Sequence, residues 1–363
     1  VWIMAYTEID DPSAYFQTLL YTSNNNGGSP PTLALTNSGN SNLQPDWVWI
    51  KSRTEVDSHS IYDSVRGTGK EIISNTTGAE STSSTSLTAF GSNGFTVGTD
   101  DRVRRDHGGG TADKYAAWQW KAGTSVSGTT SGSGTGKAYT GSVSTDAGFS
   151  IIKYLGNGTA GHTIPHHLGA VPKFIIVKQT IGGDENWFSY HVSLGNTKDI
   201  HLNQTNAAAT ADSWNDTTPT SSVFSISDQS AVNGNGNTHV GYLFSEKKGY
   251  SKFGSYIGNG STNGTYVHLG FKPALTIIKN SGGTGPWYLF DNKRPGFNVI
   301  NVEITANSND TEATDISLDH LSNGFKLRKT GSGVNGSGNS YIYMAFAESP
   351  FVTGASAIPT TAR

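Results

Sequence analysis

The chain of 363 residues contains no cysteine. Disulfide staples and thiolate metal sites are thereby excluded. Charge is also scarce: 15% of residues are charged and the net charge is −3. Nothing in this composition provides an electrostatic footprint for nucleic acid or for an anionic membrane surface. One dense basic run exists, Arg102, Arg104 and Arg105, but Asp100, Asp101 and Asp106 interrupt it. It reads as a solvated loop with local ion pairs. No apolar run approaches the roughly 18–20 residues that cross a bilayer, so no membrane insertion is expected. The opening residues lack a basic segment followed by an apolar stretch, and no signal peptide is expected. "VWIMAYTEIDDP" reads as though Met4 were the natural start. Helix formers are sparse, and no stretch places apolar residues at i, i+3, i+4 and i+7.

Glycine is abundant, at 45 residues, accompanied by much Ser, Thr and Asn. Between these polar clusters stand short apolar runs: "WVWIK", "FIIVK", "LTIIK", "WYLF" and "SYIYMAF". Runs of β-branched and aromatic residues bounded by turn formers are strand signals, and the chain is expected to be all-β.

The runs recur in a fixed order. Each unit opens at a Phe, in "FQTLLYTSNNNGG" from Phe16, "FSIIKYLGNG" from Phe149 and "FGSYIGNG" from Phe253. A Pro, an apolar strand and a Lys follow, in "PDWVWIK" from Pro45, "PKFIIVK" from Pro172 and "PALTIIK" from Pro273. Then come strands ending at Tyr62-Asp63, Tyr190-His191 and Phe290-Asp291, and the phrases "EIISNTT", "DIHLNQT" and "VEITANS". The phrase Ser-Asn-Gly-Phe precedes the next strand in the first and third copies, with "SVFSI" in the second. It reads as a tight turn whose Asn-Gly supplies positive φ. Closing strands "KYAAWQWK", "THVGYLFSE" and "SYIYMAFAE" complete the units. The expected architecture is three tandem β-sandwich-like units of about 100 residues each, a usual sandwich size. Their boundaries are 1–121 with an N-terminal arm, 148–248, and 249–363 with a C-terminal tail. Residues 122–147, rich in Gly, Ser and Thr, are read as a linker or extended arm. The second and third units are expected to pack as a pair, with the first free to take a different angle.

Chemistry-bearing patterns are few. Asp184 with Glu185 and Asp315 with Asp319 are the carboxylate pairs that glycosidase chemistry would need, but neither sits in a phrase shared between units. No strained serine elbow and no phosphate loop is present. His162, His166 and His167 cluster in "GHTIPHHLG", with His191 and His201 downstream; they are read as loop and core residues, with no metal or other cofactor expected. Sequons at Asn75, Asn203, Asn215, Asn263 and Asn309 follow from the composition and are not expected to carry glycans. Trp187 and Trp287 recur in one slot of two units, which points to packing. Trp214, in "DSWNDTTPTSS", has no such counterpart. It is the candidate for glycan stacking or for a subunit interface, with Asp212, Asn215 and Asp216 offering hydrogen bonds to hydroxyls.

In combination, "YLGNG", "FIIVK", "SNGFKL", "YIYMAFAE" and the N-terminal "AYTEIDDPSAYFQTLLYT" resemble a group of tail, fibre or appendage-type virion proteins of tailed bacteriophages, many of them marine. The likeness runs from Met4 to about Phe351. It implies a structural virion protein, not an enzyme, assembled in the host cytoplasm and released by lysis. Other virion proteins are the implied partners, with a role in host attachment to a surface glycan. A homo-oligomer is expected, three-fold by analogy with appendages of this class. Two alternatives use the same sequence: a capsid-decorating or head-fibre protein without a receptor role, and a carbohydrate-binding or depolymerase module.

Overall fold

The computed structural model describes residues 7–352, so the reading of Met4 as the start lies outside the described residues. The chain is all-β, built from antiparallel strands. Among the described residues, helix is limited to the single turns Asp101–Arg104 and Ser230–Asn233 and the 3-10 turn Pro12–Ala14.

One strand order recurs three times. In the first repeat, Phe16–Thr22 pairs with Lys114–Trp120, which pairs with Trp47–Ser52, which pairs with Ser60–Asp63. The second repeat sets Phe149–Leu155, Thr238–Phe244, Phe174–Ile181 and Phe188–His191 in the same order. The third does so with Ser251–Ile257, Ser340–Pro350, Phe271–Asn280 and Trp287–Asp291. Register defines the equivalences. Trp120 sits opposite Phe16 and Trp47, Phe244 opposite Phe149 and Phe174, and Phe346 opposite Ser251 and Leu275. The third repeat therefore aligns from Ser251, and the Phe253 expected to match Phe16 and Phe149 lies two positions further on.

Each main sheet is backed by a three-stranded sheet, such as Leu33–Thr36, Gly94–Val97 and Leu87–Gly91 in the first repeat. This explains the continuous apolar runs. Along Trp47–Ser52 every residue is buried, with Trp47 and Trp49 on one face and Val48 and Ile50 on the other. A strand covered on both faces cannot alternate apolar with polar. Phe174 and Ile176 against Ile175 and Val177 repeat the pattern.

The repeats do not stand as separate sandwiches, because the inward faces of all three main sheets share one core. The closing-strand aromatics meet at its centre. Ring centroids are 6.4 Å apart for Trp120 and Phe244, 5.5 Å for Trp120 and Phe346, and 5.6 Å for Phe244 and Phe346. Three equivalent residues in mutual contact define a three-fold pseudosymmetry axis within one chain. The first repeat contacts both others, which differs from the expected second–third pair with a free first unit.

Residues 122–147 also differ from a free linker. Thr124–Thr129 and Ala138–Ser144 form a hairpin, and the latter strand pairs with Phe149–Leu155, so the segment extends the second main sheet. Its low apolar content suits an edge position that borrows a core from its neighbour.

The repeated Ser-Asn-Gly-Phe has a more specific cause than turn geometry. A Cβ at Gly94 would lie 2.0 Å from the Leu35 carbonyl oxygen, and one at Gly324 would lie 2.1 Å from that of Val267. Only glycine allows this approach between strands of the backing sheet. Gly94 also has φ +116°, whereas Gly324 lies outside the left-handed region.

Candidate functional site

The repeated polar residues build the joints between repeats. The indole N–H of Trp187 donates to the Ile73 carbonyl at 3.0 Å, and that of Trp287 to the His201 carbonyl at 2.9 Å. His59 takes this place in the first repeat. Its Nδ1 accepts from the Trp49 indole, so Nε2 carries the proton and donates to the Thr305 carbonyl at 3.0 Å. Ile73, His201 and Thr305 are equivalent, so each repeat reaches the preceding one and the third closes on the first. Asn75, Asn203 and Asn307 hold the donors in place by accepting from the backbone N–H of His59, Trp187 and Trp287.

Two of the three lysines that close the apolar runs, Lys178 and Lys279, belong to the same joints. Lys178 Nζ donates to the carbonyls of Thr77, Gln179 and Glu185, and Lys279 Nζ to those of Thr205, Asn280 and Gly285. Lys51 Nζ donates to Ser52 and Glu55. Burial lowers all three ammonium groups to about 8.

A second layer varies in a correlated way. Tyr242 Oη donates to Asp63, and the Trp118 indole N–H donates to Asp291. Arg66 and Arg294 pair with these two aspartates inside the protein. At the third joint, Met344 has no donor and position 191 is His. There His191 Nδ1 accepts from Ser193, and Nε2 donates to the Tyr343 carbonyl at 3.1 Å.

Trp214 is not a surface residue. It is 1% exposed and packs edge-on against Tyr190, with Phe224 beside it. A ring held there cannot stack on a sugar. The residue looked exposed because its neighbours are polar, yet its side chain fills the core between the second main sheet and its backing sheet. Asp212 accepts from Gln229, and Asn215 and Asp216 form a left-handed turn with φ of 51° and 45°. The loop is polar, but it lacks the aromatic platform assigned to it.

The other sequence candidates are dispersed. His162 meets Asn157 and Ser133, His166 meets Thr220 and the Leu168 N–H, and His167 meets Tyr139. His201 contacts Gln204 and Asp199. Asp184 caps the Ala79 N–H, Asp315 pairs with Lys329, and Asp319 with Arg328. The basic run is not uniformly solvated. Arg102 pairs with Glu71 and Arg105 with Asp57, but Arg104 is fully buried and donates to Asn24 and to the carbonyls of Gly98 and Pro30.

Besides the hairpin that extends the second main sheet, a surface feature that breaks the three-fold pattern lies in the third repeat. Strand pairing equates Asp63, His191 and Asp291, and also Glu71, Asp199 and Glu303. The interval is eight positions in the first two repeats and twelve in the third. The longer loop carries Phe297, 69% exposed, and Val299, 46% exposed. Beneath it a 150 Å³ pocket lined by Lys272, Asn298 and His320 continues, past Asn292, Lys293 and Glu348, into a 190 Å³ pocket between the third and first repeats. His320 is 2% exposed, and burial pushes its imidazole down to about 3. Its Nε2 meets Thr276 Oγ1 at 3.1 Å, whereas its Nδ1 has no partner; nor does Asn292 Oδ1. Sequence reasoning missed this loop. The unequal spacing between matched phrases was the signal that could have found it.

The chain belongs to the family described as Domain of unknown function (DUF7483), which matches residues 11–350. No curated protein and no solved structure matches it.

Proposed function

We propose that this protein is a structural virion component of a tailed bacteriophage, of tail-fibre or appendage type, that contributes to host attachment. The observation that carries the reading is the closed ring of repeats. The repeated donors Trp187, Trp287 and His59, with Lys178 and Lys279, are engaged in holding one repeat to the next. Repetition has been used for rigidity, and the lengthened loop of the third repeat departs from it at the surface. A rigid β scaffold carrying variable loops is a common design for recognition surfaces. The virion phrases in the sequence supply the biological setting, which geometry alone does not.

Three-fold order, expected between chains, is present within one. Self-association of further copies is the part of the proposal that light scattering tests. Gold-conjugated antibody against the purified protein tests the location. Label on the tail or its fibres is expected, and unlabelled particles would refute the proposal. Label on the head would favour the capsid-decorating alternative. Soluble protein added before infection should compete with phage for adsorption if the attachment role holds.

A further inference from the structure

We propose that the groove under the inserted loop of the third repeat is a binding site for an acidic saccharide, read through a hexuronic-acid residue. The inference rests on the attachment reading and names its ligand class.

The three repeats act as one another's controls. Where two repeats need eight positions to pass from one strand to the next, the third uses twelve, and neither the Trp287 bond to His201 nor the His59 bond to Thr305 uses the added residues. The longer loop lifts Phe297 to 69% exposure beside a groove. With Val299 it forms an apolar patch at the mouth of a concave site, and an apolar patch beside a groove is the arrangement that ligand sites use. A flat ring beside hydrogen-bonding side chains matches a pyranose, whose C–H face is apolar and whose rim carries hydroxyls.

The polar side of the groove fits the same ligand. Among the described residues, His320 Nδ1 and Asn292 Oδ1 are buried without hydrogen-bond partners, and a buried unpaired polar atom is costly. One is a ring nitrogen and the other an amide oxygen, and sugar hydroxyls can both donate and accept. Charge then selects among sugars. Lys272 is neutralised by Glu348. Lys293, on the rim, is paired with no carboxylate among the described residues. An unpaired ammonium beside an aromatic ring and hydroxyl-binding groups favours a sugar bearing a carboxylate. The ring face would rest on Phe297, the carboxylate would meet Lys293, and hydroxyls would reach Asn292 and His320.

The test uses the full chain and two probes on a biosensor surface: biotinylated tetragalacturonate, an oligomer of hexuronic acid, and biotinylated chitotetraose, its uncharged N-acetylhexosamine counterpart. The acidic probe is expected to bind, more weakly as salt rises. Phe297→Ala should weaken binding about tenfold or more, and Lys293→Ala about three- to tenfold with the salt dependence reduced. Both side chains are at the surface, so melting temperatures should stay at the wild-type value, which separates lost recognition from lost folding. Failure of the wild type to bind tetragalacturonate at millimolar concentration would overturn the proposal. Equal binding by Phe297→Ala would do the same, as would binding confined to chitotetraose. Virions labelled by antibody but a protein without saccharide affinity would leave the appendage reading standing and remove this site.

Discussion

The indole N–H of Trp287 in the third repeat points at the carbonyl oxygen of His201 in the second, 2.9 Å away. The same bond joins Trp187 to Ile73, and His59 supplies it between the first repeat and the third. Because this contact is cyclic, no repeat is terminal. Each presents one donor face and one acceptor face, and the third acceptor face is met by the first donor.

Replacing Trp187 or Trp287 by Phe tests the joints. Most of the buried ring is retained, but the donor is lost and the neighbouring carbonyl keeps only its local turn bond, from Gln204 N–H to His201 or from Thr76 N–H to Ile73. Each change should cost about 1–2 kcal/mol in urea unfolding. The double variant should show a lower midpoint with one cooperative transition, because all three repeats share a core. Separate transitions for the repeats would contradict the shared core.

Trp214→Ala should lower stability by about 3–5 kcal/mol, as expected for emptying a buried indole site. Thermal unfolding followed by circular dichroism measures it. A melting temperature equal to wild type would return Trp214 to the surface role read from the sequence.

Arg294→Ala removes the partner of Asp291, both being buried. Burial alone would raise the Asp291 carboxyl, but Arg294 outweighs it and holds the group below its usual range. At neutral pH the variant should lose about 3–5 kcal/mol. The deficit should shrink as pH falls, because protonated Asp291 no longer requires a cation. Urea midpoints of the two proteins converging toward acid pH are the expected result; a constant gap would place the loss in packing instead.

The buried histidines and lysines whose proton affinity is depressed predict a pH dependence of the same sign. Burial depresses His59 and His320 to about 3, and His166, His191 and His239 to about 4. The unfolded imidazoles take up protons near 6.5, so between there and about 4 the unfolded state binds more protons and stability falls as pH is lowered. Each histidine contributes a slope of up to about 1.4 kcal/mol per pH unit. Lys51, Lys178 and Lys279, depressed from 10.5 to about 8, also bind more protons when unfolded, so stability rises from about pH 8 toward 10. Urea midpoints at about pH 4.5, 7 and 9.5 should increase in that order.

Gly94→Ala should destabilise far more than Gly236→Ala. Both glycines have positive φ, but nothing lies within 4 Å of a Cβ at Gly236, whereas one at Gly94 would overlap the Leu35 carbonyl. The Gly236 change carries only the left-handed cost of about 1–2 kcal/mol. The excess at Gly94, read by unfolding, measures the close approach that keeps Gly in the repeated phrase.

The all-β class, the order of phrases in each repeat and the roles of Trp187 and Trp287 as packing residues were legible in the sequence. These are local properties. A strand covered on both faces, such as Trp47–Ser52, runs apolar over consecutive positions until the buried Lys51, and a turn between strands must carry residues that tolerate it, so both leave patterns in consecutive letters. Matched phrases even marked the joint residues Lys178 and Lys279, though not what they hold. Tertiary structure alone decided that the repeats close into a ring, that Trp214 is buried and that Phe297 is exposed. The physical reason is that burial depends on what lies on the far side of a residue. Polar neighbours placed Trp214 in a loop without saying that Tyr190 waits beneath it, and no local signal says that nothing covers Phe297.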